Sequence, residues 1–240
     1  MNENFFPKQK HNKEINANIL RDIALITMFI DHIGAAVVER GFPSYGILNL
    51  RVLDMILRYI GRISFPIFCF LLVEGFLHTH DIRKYLIRMA VFAIISELPF
   101  DLAMRGEIWL EHQNVFFTLF LGLFMMVLVQ KAEQSDSKIK IPLILGICLV
   151  FAFLAQITKT DYGAVGIFLI FILYMTRTDR FKQCILGAIC MAYEYTSVFA
   201  FLPIYFYNGK RKESVSKYFF YWFYPLHLLF LYGVHILIAG

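Results

Sequence analysis

Asp31 and His32 stand side by side inside Ile19–Val38, a run apolar enough to cross a bilayer. Placing an ionisable group in hydrocarbon costs roughly 2.5–3.5 kcal/mol on insertion scales, so such groups persist where they have a partner or a role. Consecutive helical residues project about 100° apart. Asp31 can therefore bond to Thr27 or a neighbouring helix while His32 projects into the bundle. Histidine is the side chain most easily poised near neutrality, and a nearby carboxylate raises its basicity and sets its tautomer. The pair is a candidate general base, with a headgroup-level or helix-packing contact as the plainer alternative. Arg21 precedes His32 on the same helix by about 16 Å of helical rise. It suits a phosphate at the membrane entry, or simply an orientation anchor.

Further polar groups interrupt the apolar runs. Arg62 opens a second helix that carries Pro66 and, about three turns on, Glu74-Gly75-Phe76. Glu74 reads as a substrate contact or a headgroup-level salt link. Glu97 and Asp101 share one helix face at i and i+4, where like charges repel unless a cation, a proton or a basic partner such as Arg62 or His32 joins them. A metal fits poorly, because no helical histidine pair accompanies them. Asn114 and Asp161 begin later helices. His227 sits in the aromatic setting Tyr224-Pro225-Leu226-His227, where hydrogen-bonded packing is at least as natural as substrate binding. The four cysteines, Cys69, Cys148, Cys184 and Cys190, fall within apolar segments without ligand-like spacing and read as inert thiols.

The elements that must position these groups follow from composition. Of 240 residues, 59% are hydrophobic and 17% aromatic, and mean hydropathy is +0.62. A soluble domain would be nearer 45–50% apolar and would lack repeated runs of about 20 apolar residues. The formal charge of +5 is scattered in short polar intervals, which suits lipid headgroups and topology rather than nucleic acid. The chain is predicted to be all-α, a polytopic membrane bundle. The predicted spans are Ile19–Val38, Ile63–Leu77, Tyr85–Met104, Val115–Val129, Ile141–Ile157, Ala164–Met175, Phe181–Tyr207 and Tyr218–Ala239, about eight helices. Tyr45–Ile60 has apolar residues at helical spacing together with Arg51, Asp54 and Arg58, and is expected to form an interfacial amphipathic helix. Phe181–Tyr207 exceeds one span and contains Glu194 and Pro203, so a bent helix or a re-entrant piece is open there. The polar residues 1–18 precede a single transmembrane domain, 19–240. They carry no cleavable-signal pattern and are expected on the cytoplasmic side, with a weak excess of the 23 positive charges. The side of the Lys210-Arg211-Lys212 cluster depends on how Phe181–Tyr207 crosses.

The segments IALITMFIDHIG (23–34), RISFPIFCFLLVEGF (62–76), ISELPFD (95–101), NVFFTL (114–119), DYGA (161–164) and FYPLH (223–227) resemble the TraX family of membrane proteins over about residues 19–232. That family takes its name from a pilin N-acetylating protein of conjugative pili, and is similar at a distance to integral membrane acyltransferases that O-acetylate envelope molecules. The wider group places an Arg or Lys, ten residues and then a His on its first helix, and Arg21 and His32 match this spacing. It also ends its second helix with Ser-Gly-Phe, where this chain has Glu74-Gly75-Phe76. The resemblance implies a bacterial cytoplasmic-membrane acyltransferase. It would use acetyl-CoA, with phosphates near Arg21 and Arg62, His32 oriented by Asp31 as base or acyl carrier, and an envelope amine or hydroxyl as acceptor. Glu97 and Asp101 would position the amine or hold Arg62. Two rival classes remain: a small proton- or cation-coupled transporter built on Asp31, Glu97 and Asp101, and a non-catalytic pilus or surface-assembly factor.

Overall fold

In the computed structural model, residues 15–40, 48–109, 111–136, 138–210 and 217–239 are described. Most of the polar N-terminal segment, the start of the expected interfacial helix, and Arg211 and Lys212 lie outside them.

Helix α1 (Ala17–Ile33) is capped by Asn16, whose side chain accepts from the backbone N–H groups of Asn18 and Ile19. Leu20, Ala24 and Met28, four residues apart, form its buried stripe. Thr27 donates to Ile23 O of its own helix at 2.8 Å, so it does not reach Asp31. Beyond Ile33 the helix widens into a π-helical stretch, Gly34–Glu39. Such bulges shift the register of the side chains that follow and recur at functional sites.

Helix α2 (Leu48–Gly61) returns antiparallel against α1: a Cβ on Gly34 would meet Asp54 and Arg58, and one on Gly61 would meet Asp31. It passes through Arg62 and Ile63 directly into α3 (Ser64–His78), and Leu50–His78 forms one long apolar stretch. The amphipathic helix expected at Tyr45–Ile60 is present as α2, with Val52, Met55, Ile56 and Tyr59 exposed on its apolar outer face, and it continues into α3. Helix α4 (Ile82–Met104) carries Pro99, and α5 (Val115–Glu133), α6 (Lys140–Ile157) and α7 (Gly163–Met175) follow. The densest core lies among α3, α5 and α7, where Phe65, Ile67, Phe70, Leu123, Met126, Ile167, Ile170 and Leu173 are buried. Gly122 and Gly166 admit Ile170 and Thr118 at distances no side chain would allow.

The segment from α8 (Arg180–Cys190) through a 3₁₀ stretch (Ala192–Ala200) to α9 (Phe201–Tyr205) does not cross. It leaves from beside Glu74, rises until Glu194 meets Arg62 and Thr196 donates to Tyr59 O, and turns at Tyr195 with φ 36°. It then descends past Gly187 to Tyr207, which pairs with Ile15 and Phe70. Helix α10 (Lys217–Ala239) then runs from Arg21, stacked on Phe220, towards Arg40, near Tyr232 and His235.

The described chain therefore runs along the bundle in α1, in α2 with α3, and in α4, α5, α6, α7 and α10. The eight predicted spans are corrected. Among the described residues, four helices are long and apolar enough to cross a membrane: Leu50–His78, Val115–Glu133, Lys140–Ile157 and Phe219–Ile238. Helices α1 and α4 are interrupted by charge, α7 has only 13 residues, and Phe181–Tyr207 is broken into a hairpin. The chain is an all-α membrane protein.

Candidate functional site

Helices α3, α5 and α7 begin at one level inside the bundle. Phe65 stacks on Tyr162 at 3.6 Å, the Thr118 hydroxyl donates to Asp161 O, and Asp161 N donates to Gln113 O at 2.9 Å. Around them α1 with its π-helical turn, α2, α4 and α10 continue further. The three starts thus form the floor of a cavity of about 470 Å³, within the range of small-molecule sites. Met28, Asp31, His32, Ala35, Glu39 and Arg40 line it along one side, at helical spacing through the π-turn. Arg58, Arg62, Phe65, Phe68, Asp101, Arg105, Trp109, His112, Asp161, Tyr162 and Tyr224 close the rest.

Two carboxylate–arginine pairs lie beside His32. Arg58 Nη1 lies 2.5 Å from Asp31 Oδ2, and Arg62 Nε lies 2.8 Å from Glu194 Oε2. The Tyr162 hydroxyl is also bonded to Arg62. Asp31 is thus turned onto Arg58. It does not hold His32, whose Nδ1 lies instead 2.6 Å from His227 Nε2. His227 Nδ1 in turn meets Phe223 O at 2.7 Å.

On the far wall Asp101 accepts from Trp109 N at 2.9 Å, and Arg105 lies over the Trp109 ring at 3.6 Å. At the rim, Arg40 donates to Leu102 O and Ala103 O, both at 2.7 Å. Asp161, in the turn between α6 and α7, keeps about a third of its side-chain surface open, and that surface faces the cavity.

The structure thus brings together Asp31, His32, Arg62, Asp101 and Asp161, with His227 directly behind His32. It does not bring in four other candidates. Arg21 sits at the opposite end of α1, bonded to Asp22 and stacked on Phe220 at 3.5 Å. Glu74 pairs with Arg180 at 3.3 Å. Glu97 accepts from Asn114, which caps α5 and also donates to Ala93 O at 2.8 Å, so both residues build the floor from below. Among the described residues Glu97 and Asp101 share no basic side chain: the helix turns Glu97 to Asn114 and Asp101 to Trp109. Sequence reasoning passed over Arg58 as a partner of Asp31, although it lies at i+4 from Asp54 and i−4 from Arg62. It also gave no site role to Tyr162 and Tyr224, which stand within the DYGA and FYPLH segments. Among the described residues no group of three His, Cys, Asp or Glu side chains is arranged to hold a metal.

Comparison with known proteins adds two findings. A family model described as TraX protein matches residues 16–235. The chain is also 28% identical over 252 residues to the probable fimbrial assembly protein FimC, serogroup H1, of Dichelobacter nodosus, across 92% of this chain and 96% of that protein. No solved structure matches.

Proposed function

The chain belongs to the TraX protein family, and on that premise we propose that it is a membrane-embedded acyltransferase that moves an acetyl group from acetyl-CoA to an amine or hydroxyl of a cell-envelope molecule. The observation that carries this reading is His32 on the side wall of the cavity, bonded through one ring nitrogen to a second histidine and flanked by the Asp31–Arg58 pair. In the reaction His32 takes the proton of the acceptor N–H or O–H as the acceptor attacks the acyl carbon, and returns it to the departing thiolate. Acetyl-CoA supplies the activated thioester. Arg58 and Asp31 fix the wall beside the base, and Asp161 and Asp101 face the incoming acceptor.

The two ends of the bundle suit a donor and an acceptor arriving from opposite sides. Arg83, Lys84, Lys131, Lys140, Arg177, Arg180, Lys182 and Lys210 gather at the end where α1 begins, since Ala17 N donates to Lys210 O and the other cations flank the ends of α3, α5 and α7. By the positive-inside rule this end is cytoplasmic, in a bacterial cytoplasmic membrane. The cavity then opens towards the envelope, where the acceptor resides. Both expected phosphate anchors have protein partners, Arg62 with Glu194 and Arg21 with Asp22 and Phe220, so a donor phosphate arriving at the cytoplasmic end would have to displace Asp22 from Arg21. Arg21 stands at the cytoplasmic end, about 16 Å below His32 along α1.

The printed description of the Dichelobacter relative favours a second reading, a fimbrial assembly role without turnover. Incubating membranes that contain this chain with isotopically labelled acetyl-CoA, then identifying labelled envelope molecules by mass spectrometry, separates the two. The transferase reading expects a labelled acceptor that depends on the chain. Unlabelled membranes, with the chain abundant and pilus assembly dependent on it, favour the assembly role.

A further inference from the structure

Each ring nitrogen in the histidine pair has a determinable role. His227 Nδ1 lies 2.7 Å from Phe223 O, and a carbonyl oxygen can only accept. The proton of His227 is therefore on Nδ1, and in the neutral ring Nε2 is a bare acceptor. That acceptor lies 2.6 Å from His32 Nδ1, so His32 Nδ1 must carry a proton and donate it. The ring planes differ by 10° and the centroids are 5.0 Å apart, about the sum of the contact and two ring radii. The rings therefore meet edge to edge in nearly one plane, as an in-line hydrogen bond requires.

We infer that His227 is the positioning residue of the proposed transferase. It locks His32 in the Nδ1–H tautomer, so that the bare Nε2 is presented to the cavity as the base. This rests on the acyltransferase reading for its catalytic meaning, while the tautomer itself does not. The usual orienting partner, a carboxylate, is absent from this role because Asp31 is held by Arg58. His227 is itself held: Phe223 stacks on its ring at 5.0 Å, and Tyr224 at 5.6 Å and Phe29 at 5.9 Å meet it edge-on, which together form an aromatic cage. A neutral acceptor suits the task. It sets the tautomer without placing a second charge among apolar rings.

The test uses the full-length chain in lipid nanodiscs with ring-¹⁵N histidine, the His32 signals being assigned from a His32→Gln spectrum. The expected result is a protonated Nδ1 and a bare Nε2 on His32. In His227→Phe, which keeps an aromatic ring but removes the acceptor, His32 should move to the Nε2–H form. His227→Gln, whose amide oxygen reaches the place of the lost Nε2, should retain the original tautomer and guards against misfolding of the Phe variant. A wild-type His32 protonated on Nε2, or no change in His227→Phe, overturns the inference. In transfer assays with labelled acetyl-CoA, His227→Phe should lower kcat about ten- to a hundredfold with KM unchanged, part of the ~10²–10⁴ that a positioned base supplies. His227→Gln should recover most of that loss. Absence of transfer in the wild type, with the tautomer intact, removes the enzymatic reading and leaves the positioning of His32 standing.

Discussion

Asp31 packs directly on the bare α-carbon of Gly61, and this approach is what lets Arg58, three residues earlier on α2, close on its carboxylate at 2.5 Å. A Cβ at position 61 would fall 2.1 Å from Asp31 Cβ and 2.2 Å from Oδ1. Backbone freedom is not the issue here, since Gly61 ends a regular helix; space is.

Gly61→Ala is therefore expected to push α2 off α1 and separate Asp31 from Arg58. Overpacking of this kind costs about 1–3 kcal/mol. Thermal unfolding in detergent should show a lower midpoint. An unchanged midpoint would mean that the α1–α2 contact is looser than described.

Arg58→Met leaves Asp31 enclosed without its cation. A fully buried pair loses about 3–5 kcal/mol when one partner is removed. Here 28% of the Arg58 side chain and 14% of the Asp31 side chain remain open to the cavity, so roughly 1–3 kcal/mol is expected. Adding Asp31→Asn to Arg58→Met should restore part of that loss by removing the stranded charge. A double variant as unstable as the sum of the singles would argue against the pairing.

Asn114 is fully buried and serves three groups at once: it caps Phe116 N and donates to Ala93 O and to Glu97. Asn114→Ala removes a cap worth about 1 kcal/mol and leaves buried acceptors without a donor, at about 1–3 kcal/mol more. Asn114→Asp keeps the cap but faces Glu97 with a like charge, and should not rescue stability. Recovery in the Asp variant, measured by thermal unfolding, would show that capping alone matters.

Asp179 caps α8, accepting from Phe181 N and Lys182 N, both at 3.1 Å. The Lys182 N–H, with its nearby ammonium, holds this carboxyl below the ordinary carboxylate range. A lowered folded-state value means that the stabilisation is complete above the unfolded value of about 3.9 and fades as pH falls through the lowered one. Amide exchange should therefore report loss of protection in the first turn of α8 only below about pH 4, and no such step in Asp179→Asn. A step nearer neutrality, or one that survives in the Asn variant, would contradict this.

What was legible in the sequence was local. The cost of charge in hydrocarbon singled out Asp31 and His32, and the length of Phe181–Tyr207, with Glu194 inside it, marked an irregular segment, although a bent helix or a span with a re-entrant piece was expected and a hairpin is found. Partnerships were not legible, because they join residues far apart in the chain. His32 and His227 are separated by 195 positions, and Glu74 and Arg180 by 106. Each member looks alike whether it faces a substrate or an opposing charge. Asp31 beside His32 suggested an orienting carboxylate, yet adjacent helical residues diverge by about 100°, which sends Asp31 to α2 and His32 to α10. The helix count failed for a related reason: apolar length marks a membrane segment but does not say whether the chain returns to the side it left.

In the proposed reaction His32 is the base of an acyl transfer. The direct measurement compares transfer of labelled acetyl groups from acetyl-CoA in membranes carrying the wild-type chain and His32→Ala at matched abundance and insertion. Wild-type membranes should transfer the label, and transfer should fall by about 10²–10⁴-fold in the variant. Full transfer in His32→Ala would contradict that role.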